Sequence, residues 1–327
     1  MSLTVSRFGS EDYKWWDDYI WQADNGNIFH TRRFLSYHPQ GRFTDHSLIF
    51  KKKNSVRAVL PAIEMTMDKD KVLYSHRGAS YGGFVYRDLG IAEAFELVEA
   101  LKAYAKETGF TRILITLPPI VYMNRYSNYL DFAMLQNGFR YLKREISSVV
   151  QLPTDPEQVL SLFKSEARTA TRKSIKSGVQ IRLSEDYDTY YEILKQNLKL
   201  RHNVTPTHTL EELKKLAGLF PDRIHLWAAY LDDKMIAGVV NFICTPKVVL
   251  AFYISDNKEY QQYRSVNNLF YHIFQWAVKE DFQFYDFGIF TVNMDPNWGL
   301  GKFKENFGAR GLFRDTFELL LWSPQNQ

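Results

Sequence analysis

The residues of this 327-residue chain that could do chemistry gather late in the sequence. Tyr285-Asp286-Phe287-Gly288 is followed, after a loop holding Pro296, by Gly299-Leu300-Gly301-Lys302-Phe303-Lys304-Glu305-Asn306-Phe307-Gly308. The strand pattern that begins at Phe282 leads into Asp286, and the loop hands the chain to an amphipathic turn projecting Lys304 beside Phe303. Acyl transfer to an amine passes through an oxyanion, and an ammonium in a dry pocket stabilises that charge. The plainer alternative is a surface lysine at a helix start. Asp286 reads as a structural acid that orders the loop.

A second feature is cationic. Lys164, Arg168, Arg172 and Lys176 recur four apart, with Lys173 beside them and Glu166 the only acid. Each step of four drifts about 40° around a helix, so they share one slanted face. Such a face suits the phosphates of a nucleotide-linked precursor, a CoA pyrophosphate or an RNA backbone; it also suits plain solvent. Further on, Gln261-Gln262-Tyr263-Arg264-Ser265-Val266-Asn267-Asn268 opens a helix without one glycine. Ser265 could cap it and Arg264 could meet an anion. Tyr253, on the strand before, is a candidate proton relay or substrate contact, with packing on the sheet as the alternative. Arg201-His202 precedes a Thr/Pro-rich loop, and His202 and His208 read as exposed loop residues. No His/Asp/Glu cluster has metal-ligand spacing, so no metal site is expected. Gly-x-Ser-x-Gly is absent, as are the Gly-rich loop and His-Arg-Asp set that an Asp-Phe-Gly kinase needs. Cys244 is the single cysteine, which excludes an intrachain disulfide; its apolar surroundings predict an inert core thiol.

The late stretch resembles the signature of the Fem-type peptidyltransferases, double-GNAT-fold N-acyltransferases: Asp-Phe-Gly, a loop, then Gly-Leu-x-x-Phe-Lys-x-x-Phe-Gly. Asp286, Phe287, Gly288, Gly299, Leu300, Phe303, Lys304, Phe307 and Gly308 match every letter, while Ile289 and Ala309 stand where a further Gly is common. The resemblance implies that Lys304 holds the oxyanion, that the basic helix opens the second domain, and that Arg201 lies near substrate phosphates. It covers most of the second half, with Phe29-His30-Thr31 and Tyr81-Gly82-Gly83 as weak landmarks in the first. A GNAT domain that uses acyl-CoA normally has Arg/Gln-x-x-Gly-x-Gly/Ala before its helix; residues 261–268 depart from that pattern. Fem-type enzymes commonly lack the glycine loop too, because their donor is an aminoacyl-tRNA. Residues 178–224 leave no room for the long helical arm that some of them carry.

The elements that must position these residues alternate along the chain. Two strands around residues 47–50 and 56–60 form a hairpin, 91–108 has helical spacing closed by Gly109, and 111–117 is a buried strand stopped by Pro118-Pro119. A strand at 147–152 is followed by Pro153 and Pro156, which places a domain boundary there: 1–152 and 153–327. In the second half, one helix over 155–177, a strand over 179–183, helices over 189–200 and 210–219, three strands, a helix over 265–279 and a strand over 282–287 follow in order. The fold class read from this is α/β with mixed, α+β sheets, in two tandem GNAT-like domains.

Composition sets the limits. The chain is 45% hydrophobic, 24% charged and 16% aromatic, which excludes a wholly disordered chain. Lys and Arg number 41 against 37 Asp and Glu, so bulk charge does not favour duplex DNA and any anion site is local. No signal peptide and no apolar run long enough to span a bilayer are evident, and a cytoplasmic location is expected. The resulting expectation is an N-acyltransferase without a tightly bound cofactor. It would move an acyl or aminoacyl group from acyl-CoA or aminoacyl-tRNA to an amine of a cell-wall (peptidoglycan) precursor or small molecule. Lys304 and Tyr253 would serve the chemistry, and Arg168, Arg172, Lys176, Arg201, Arg264 and Phe303 would serve binding. The rival expectation is a non-catalytic, degenerate acyltransferase-fold module binding a nucleotide-linked or polysaccharide precursor.

Overall fold

The computed structural model describes residues 3–202 and 206–321, the side chains of 199–202 excepted. Contacts group the chain into two compact units, Met1–Glu145 with Phe313–Gln327, and Ile146–Leu312. A boundary read at 152/153 does not reveal that the last strand rejoins the first unit, because nothing local in a strand's sequence names its partner.

The first unit begins with β1 (Thr4–Arg7), α1 (Tyr13–Gln22) and α2 (Arg32–Leu35). Six strands follow: β2 (Thr44–Asp45), β3 (Leu48–Lys52), β4 (Ser55–Leu60), β5 (Ile63–Met67), β6 (Asp70–Ser75) and β7 (Val85–Tyr86). Then come α3 (Ile91–Glu107), β8 (Arg112–Thr116), α4 (Tyr129–Gln136) and β9 (Arg140–Gln151), whose residues from Ile146 belong to the second unit. The expected hairpin is β3–β4, and the expected helix and buried strand are α3 and β8. The β5–β6 hairpin, α1, α2 and α4 add to the shorter pattern read from sequence. The weak landmarks meet in this unit: His30 Nε2 donates to the Gly82 carbonyl at 3.1 Å, and the rings of Phe29 and Tyr81 pack edge to face at 5.5 Å. Complete burial pushes the His30 pKa down to about 4, so the imidazole is neutral and structural. Gly82 has no room for a side chain, since a Cβ there would stand 2.2 Å from the Ser75 carbonyl carbon and 2.3 Å from the His76 nitrogen. Gly82→Ala is therefore expected to lower stability by ~1–3 kcal/mol in urea denaturation. An unchanged midpoint would mean that the end of β6 moves aside freely.

The second unit continues with α5 (Val159–Leu162), α6 (Ser165–Lys176), β10 (Gln180–Ser184), α7 (Tyr187–His202) and α8 (Leu210–Leu219). β11 (Ile224–Leu231), β12 (Lys234–Ile243), β13 (Val248–Asp256), α9 (Ser265–Lys279) and β14 (Phe284–Ile289) follow. A ribbon of β15 (Thr291–Val292) and β16 (Asp295–Pro296), α10 (Trp298–Glu305) and β17 (Arg310–Leu320) complete the chain, β17 passing to the first unit at Phe313. The strand order in this unit is β10-β11-β12-β13-β14-β9, antiparallel except for the parallel pair β13–β14. The crossover between that pair is α9, and Leu269, Phe270, Ile273, Phe274, Ala277 and Val278 give it one apolar face buried on the sheet. Cys244 is fully buried beside this core, as its apolar setting predicted.

One correction concerns the basic segment. The helix expected over 155–177 is broken at Phe163 and Lys164, both extended, so α6 starts at Ser165 with Lys164 as its N-cap. Phe163 is buried against Phe274 and Phe307, and that tertiary contact overrides the local helical pattern. Lys164 instead ties α6 to the end of α10: its N–H donates to Asn306 O at 2.8 Å, and its Nζ lies 3.0 Å from Glu305.

Candidate functional site

The second unit owes its site to two strands that part. β13 and β14 pair in parallel only at Val248–Leu250 with Phe284–Asp286. Beyond that point β13 runs on to Asp256 with β12 as its ladder partner, while β14 bends away past Gly288, which has φ +70°. The β13 edge that faces β14 is left open, and its backbone groups there can pair with an extended ligand.

Asp286 and Lys304 fix the bend. The Asp286 carboxylate is fully buried and accepts from Ser147 Oγ at 2.6 Å and from the Gly288 N–H at 2.7 Å. That is the loop-ordering acid expected from sequence. Lys304 is 2% exposed, so it is not a surface lysine. Its Nζ donates to the carbonyls of Gly288 and Ile289, each at 2.7 Å. Burial pushes its pKa down to about 8, and the Asp286 carboxylate opposes that fall.

Beside the parted strands lies a cavity of about 850 Å³ walled by α6, the end of β13, the start of α9 and α10. Phe303, Leu300 and Ile254 supply apolar wall, Lys173 and Arg264 bring cations, and Glu166 and Asp256 bring carboxylates. Arg264 adopts the left-handed conformation (φ 52°, ψ 35°) immediately before α9. The N–H groups of Ser265 and Val266, as the first residues of a helix, have no partner within it, and both residues border the cavity.

The structure therefore gathers some of the sequence-predicted residues and separates others. Phe303 and Arg264 are on the cavity wall together. Arg168, Arg172 and Lys176 are not; Lys173, one step around the helix, takes their place. With α6 starting at Ser165, the face formed by 165, 166, 169, 170 and 173 looks inward, and the basic stripe lies about 100° away. Lys304 stands behind the wall rather than in it. Tyr253 points to the other face of the sheet from its neighbours Ile254 and Asp256, following strand alternation. Its hydroxyl accepts from the His208 N–H at 3.2 Å and lies 2.8 Å from His208 Nδ1, and burial pushes the phenol up to about 12. His208, expected in an exposed loop, is 4% exposed because this contact and the Phe252 ring hold it against the sheet. The side chains of Arg201 and His202 lie outside the described residues. Glu166, Lys173, Asp256 and Val266 were not singled out as site residues; only the phase of α6 and the alternation along β13 could have pointed to them. Among the described residues no group of three His, Cys, Asp or Glu could hold a metal ion.

A family model described as an acetyltransferase (GNAT) domain matches residues 161–304, a span that holds the parted strands, α9 and Lys304. The chain has the tandem GNAT fold. A structure of FemX superposes with a TM-score of 0.76 at 13% identity, covering 97% of each chain. L-PGS from Bacillus licheniformis gives 0.61 at 10% identity, covering 98% of this chain and 95% of that one. A tandem GNAT protein from the clavulanic acid biosynthesis pathway gives 0.55 at 10% identity, covering 98% and 99%. No curated protein sequence matches the chain. Arg264, just before α9, has the left-handed backbone that a glycine would readily supply. No helix among the described residues is long and apolar enough to cross a membrane.

Proposed function

We propose that the chain is an N-acyltransferase that moves an aminoacyl group from an aminoacyl-tRNA to an amine, by direct attack on the activated ester. The observation that carries this reading is the cavity at the start of α9. Its N–H groups, Arg264 and Lys173 suit a phosphate, while Arg264 and Val266 stand where the resemblance expects the small residues of an acyl-CoA loop. Glu166 on α6 and Asp256 at the end of β13, whose carboxylate also accepts from Asn197 Nδ2 at 3.5 Å, bring acids to the cavity lining that suit the α-ammonium of an aminoacyl donor. The Fem-type resemblance supports a cell-wall precursor as acceptor.

In the proposed step a neutral amine attacks the ester carbonyl, the tetrahedral oxyanion collapses, and the ribose oxygen leaves with the proton that the amine gives up. The donor arrives already activated, so the protein's task is mainly alignment, and the open edge of β13 provides it. Lys304 acts as a positioning residue in this reading, because two of its three hydrogens are held by Gly288 and Ile289. Tyr253 and His208 hold the loop around residue 208 to β13 and take no proton in the step.

A second reading, acyl-CoA as donor, is favoured by the left-handed backbone at Arg264. Thermal melting with acetyl-CoA separates the two. Ligand at about 100 times its dissociation constant adds ~2.7 kcal/mol, a shift of several degrees. The aminoacyl reading expects no shift with acetyl-CoA, and transfer of a labelled amino acid from aminoacyl-tRNA to an added amine. A clear acetyl-CoA shift would move the assignment to the second reading. Absence of turnover with either donor would leave the binding-only module.

A further inference from the structure

Two exposed features at the cavity are not used by acyl transfer. The first is the β15–β16 ribbon, in which Val292 pairs with Asp295 and the chain turns through Asn293 and Met294, both at positive φ. Val292 is 68% exposed, Met294 52% and Trp298 77%; no other large apolar side chain among the described residues is as exposed as Trp298. The second is the outer face of α6. Among the described residues Arg168, Arg172 and Lys176 make no ion pair, whereas Lys164 is paired with Glu305. Both features adjoin elements that line one cavity: α10, through Asn297 and Leu300, carries on from the ribbon and Trp298, and α6, through Ala170 and Lys173, carries the basic stripe on its outer face.

We propose that this rim docks on an anionic lipid surface, with the ribbon tip and Trp298 entering the headgroup zone and the α6 cations resting on lipid phosphates. A protein partner would need roughly 800 Å² on each side, more than three side chains between 292 and 298 provide, whereas a narrow apolar tip suits shallow insertion. Indole rings favour the membrane–water interface, and unpaired lysines and arginines are drawn to anionic leaflets. Asp295 at the base of the ribbon limits insertion to that zone. Docked in this way, the rim of the cavity lies at the membrane surface. The docking itself does not depend on which donor is used, and its test involves no turnover.

The test is flotation of the full chain with phosphatidylcholine vesicles, with and without a large fraction of phosphatidylglycerol. Binding is expected only when phosphatidylglycerol is present, and is expected to weaken with salt. Arg172→Gln with Lys176→Gln should weaken it roughly 30-fold, and Val292→Ser with Trp298→Ser at least roughly tenfold. These side chains are exposed, so both variants should melt with the parent chain, which separates lost docking from lost folding. No binding to phosphatidylglycerol vesicles, or binding that neither variant weakens, would overturn the proposal. So would a dimer in light scattering that Trp298→Ser dissolves, since the tip would then be a contact between two copies.

Discussion

Replacing Lys304 with methionine is expected to lower kcat roughly 100-fold while leaving the KM for the donor within a few-fold, because the loop that ends β14 loses the group that holds it. The ammonium donates to Gly288 and Ile289, and the substitution leaves both partly buried carbonyls without that donor. The effect is one of position, and pH distinguishes it from an oxyanion contact. A neutral lysine amine still has two hydrogens, enough for both carbonyls. With a weakly basic acceptor that stays neutral throughout, kcat of the parent chain is therefore expected to be flat as pH crosses 8. If the cation itself held the oxyanion, kcat would fall across that pH, and the positioning role would be wrong.

Stability should respond to pH in a definite direction. The Lys304 pKa is about 8 in the fold against 10.5 for a free lysine. Below pH 8 the residue is protonated in both states and the fold bears the full cost of burying the charge. Between 8 and 10.5 the unfolded chain binds more protons, so stability rises with pH, by at most ~1.4 kcal/mol per unit. Because only this site differs between them, the parent chain should gain on Lys304→Met over that window by about 3 kcal/mol in all. A constant difference from pH 7.5 to 10 would show that Lys304 is not desolvated in the fold.

The helices and strands that build this site were largely legible because each carries a local pattern. α9 begins and ends where its apolar spacing predicts, and α8 likewise, since one face of each must be buried. The helix read over 155–177 breaks at Phe163, which gives up helical geometry for a place between Phe274 and Phe307, a contact with residues more than a hundred positions away. Whether Arg172 or Lys173 faces the cavity depends on how α6 packs, which its own spacing does not encode. The parting of β13 from β14 was not legible at all. It arises from a bend at Gly288 held by a lysine sixteen residues on, and no periodicity encodes it. Asp286, Phe303 and Lys304 drew notice by residue type and order, whereas Asp256 and Val266 become visible only when the sheet has a face.

Asp286→Ala should be the more damaging substitution, costing ~3–5 kcal/mol in chemical denaturation. It leaves the buried Ser147 Oγ and the partly buried Gly288 N–H without the acceptor they share, and it removes the carboxylate that opposes the fall of the Lys304 pKa. The double variant Asp286→Ala with Lys304→Met should be less damaged than the two single losses added together, by ~1–3 kcal/mol, since with the lysine gone no buried cation remains to be abandoned. This non-additivity is what a brace predicts: the acid orders the loop from its start, the lysine from its far side, and together they hold β14 away from β13. Strict additivity would mean that Asp286 works through Ser147 and Gly288 alone. Lys304 would then hold its two carbonyls independently, and the Asp-Phe-Gly and Phe-Lys segments would serve the open strand edge as separate devices.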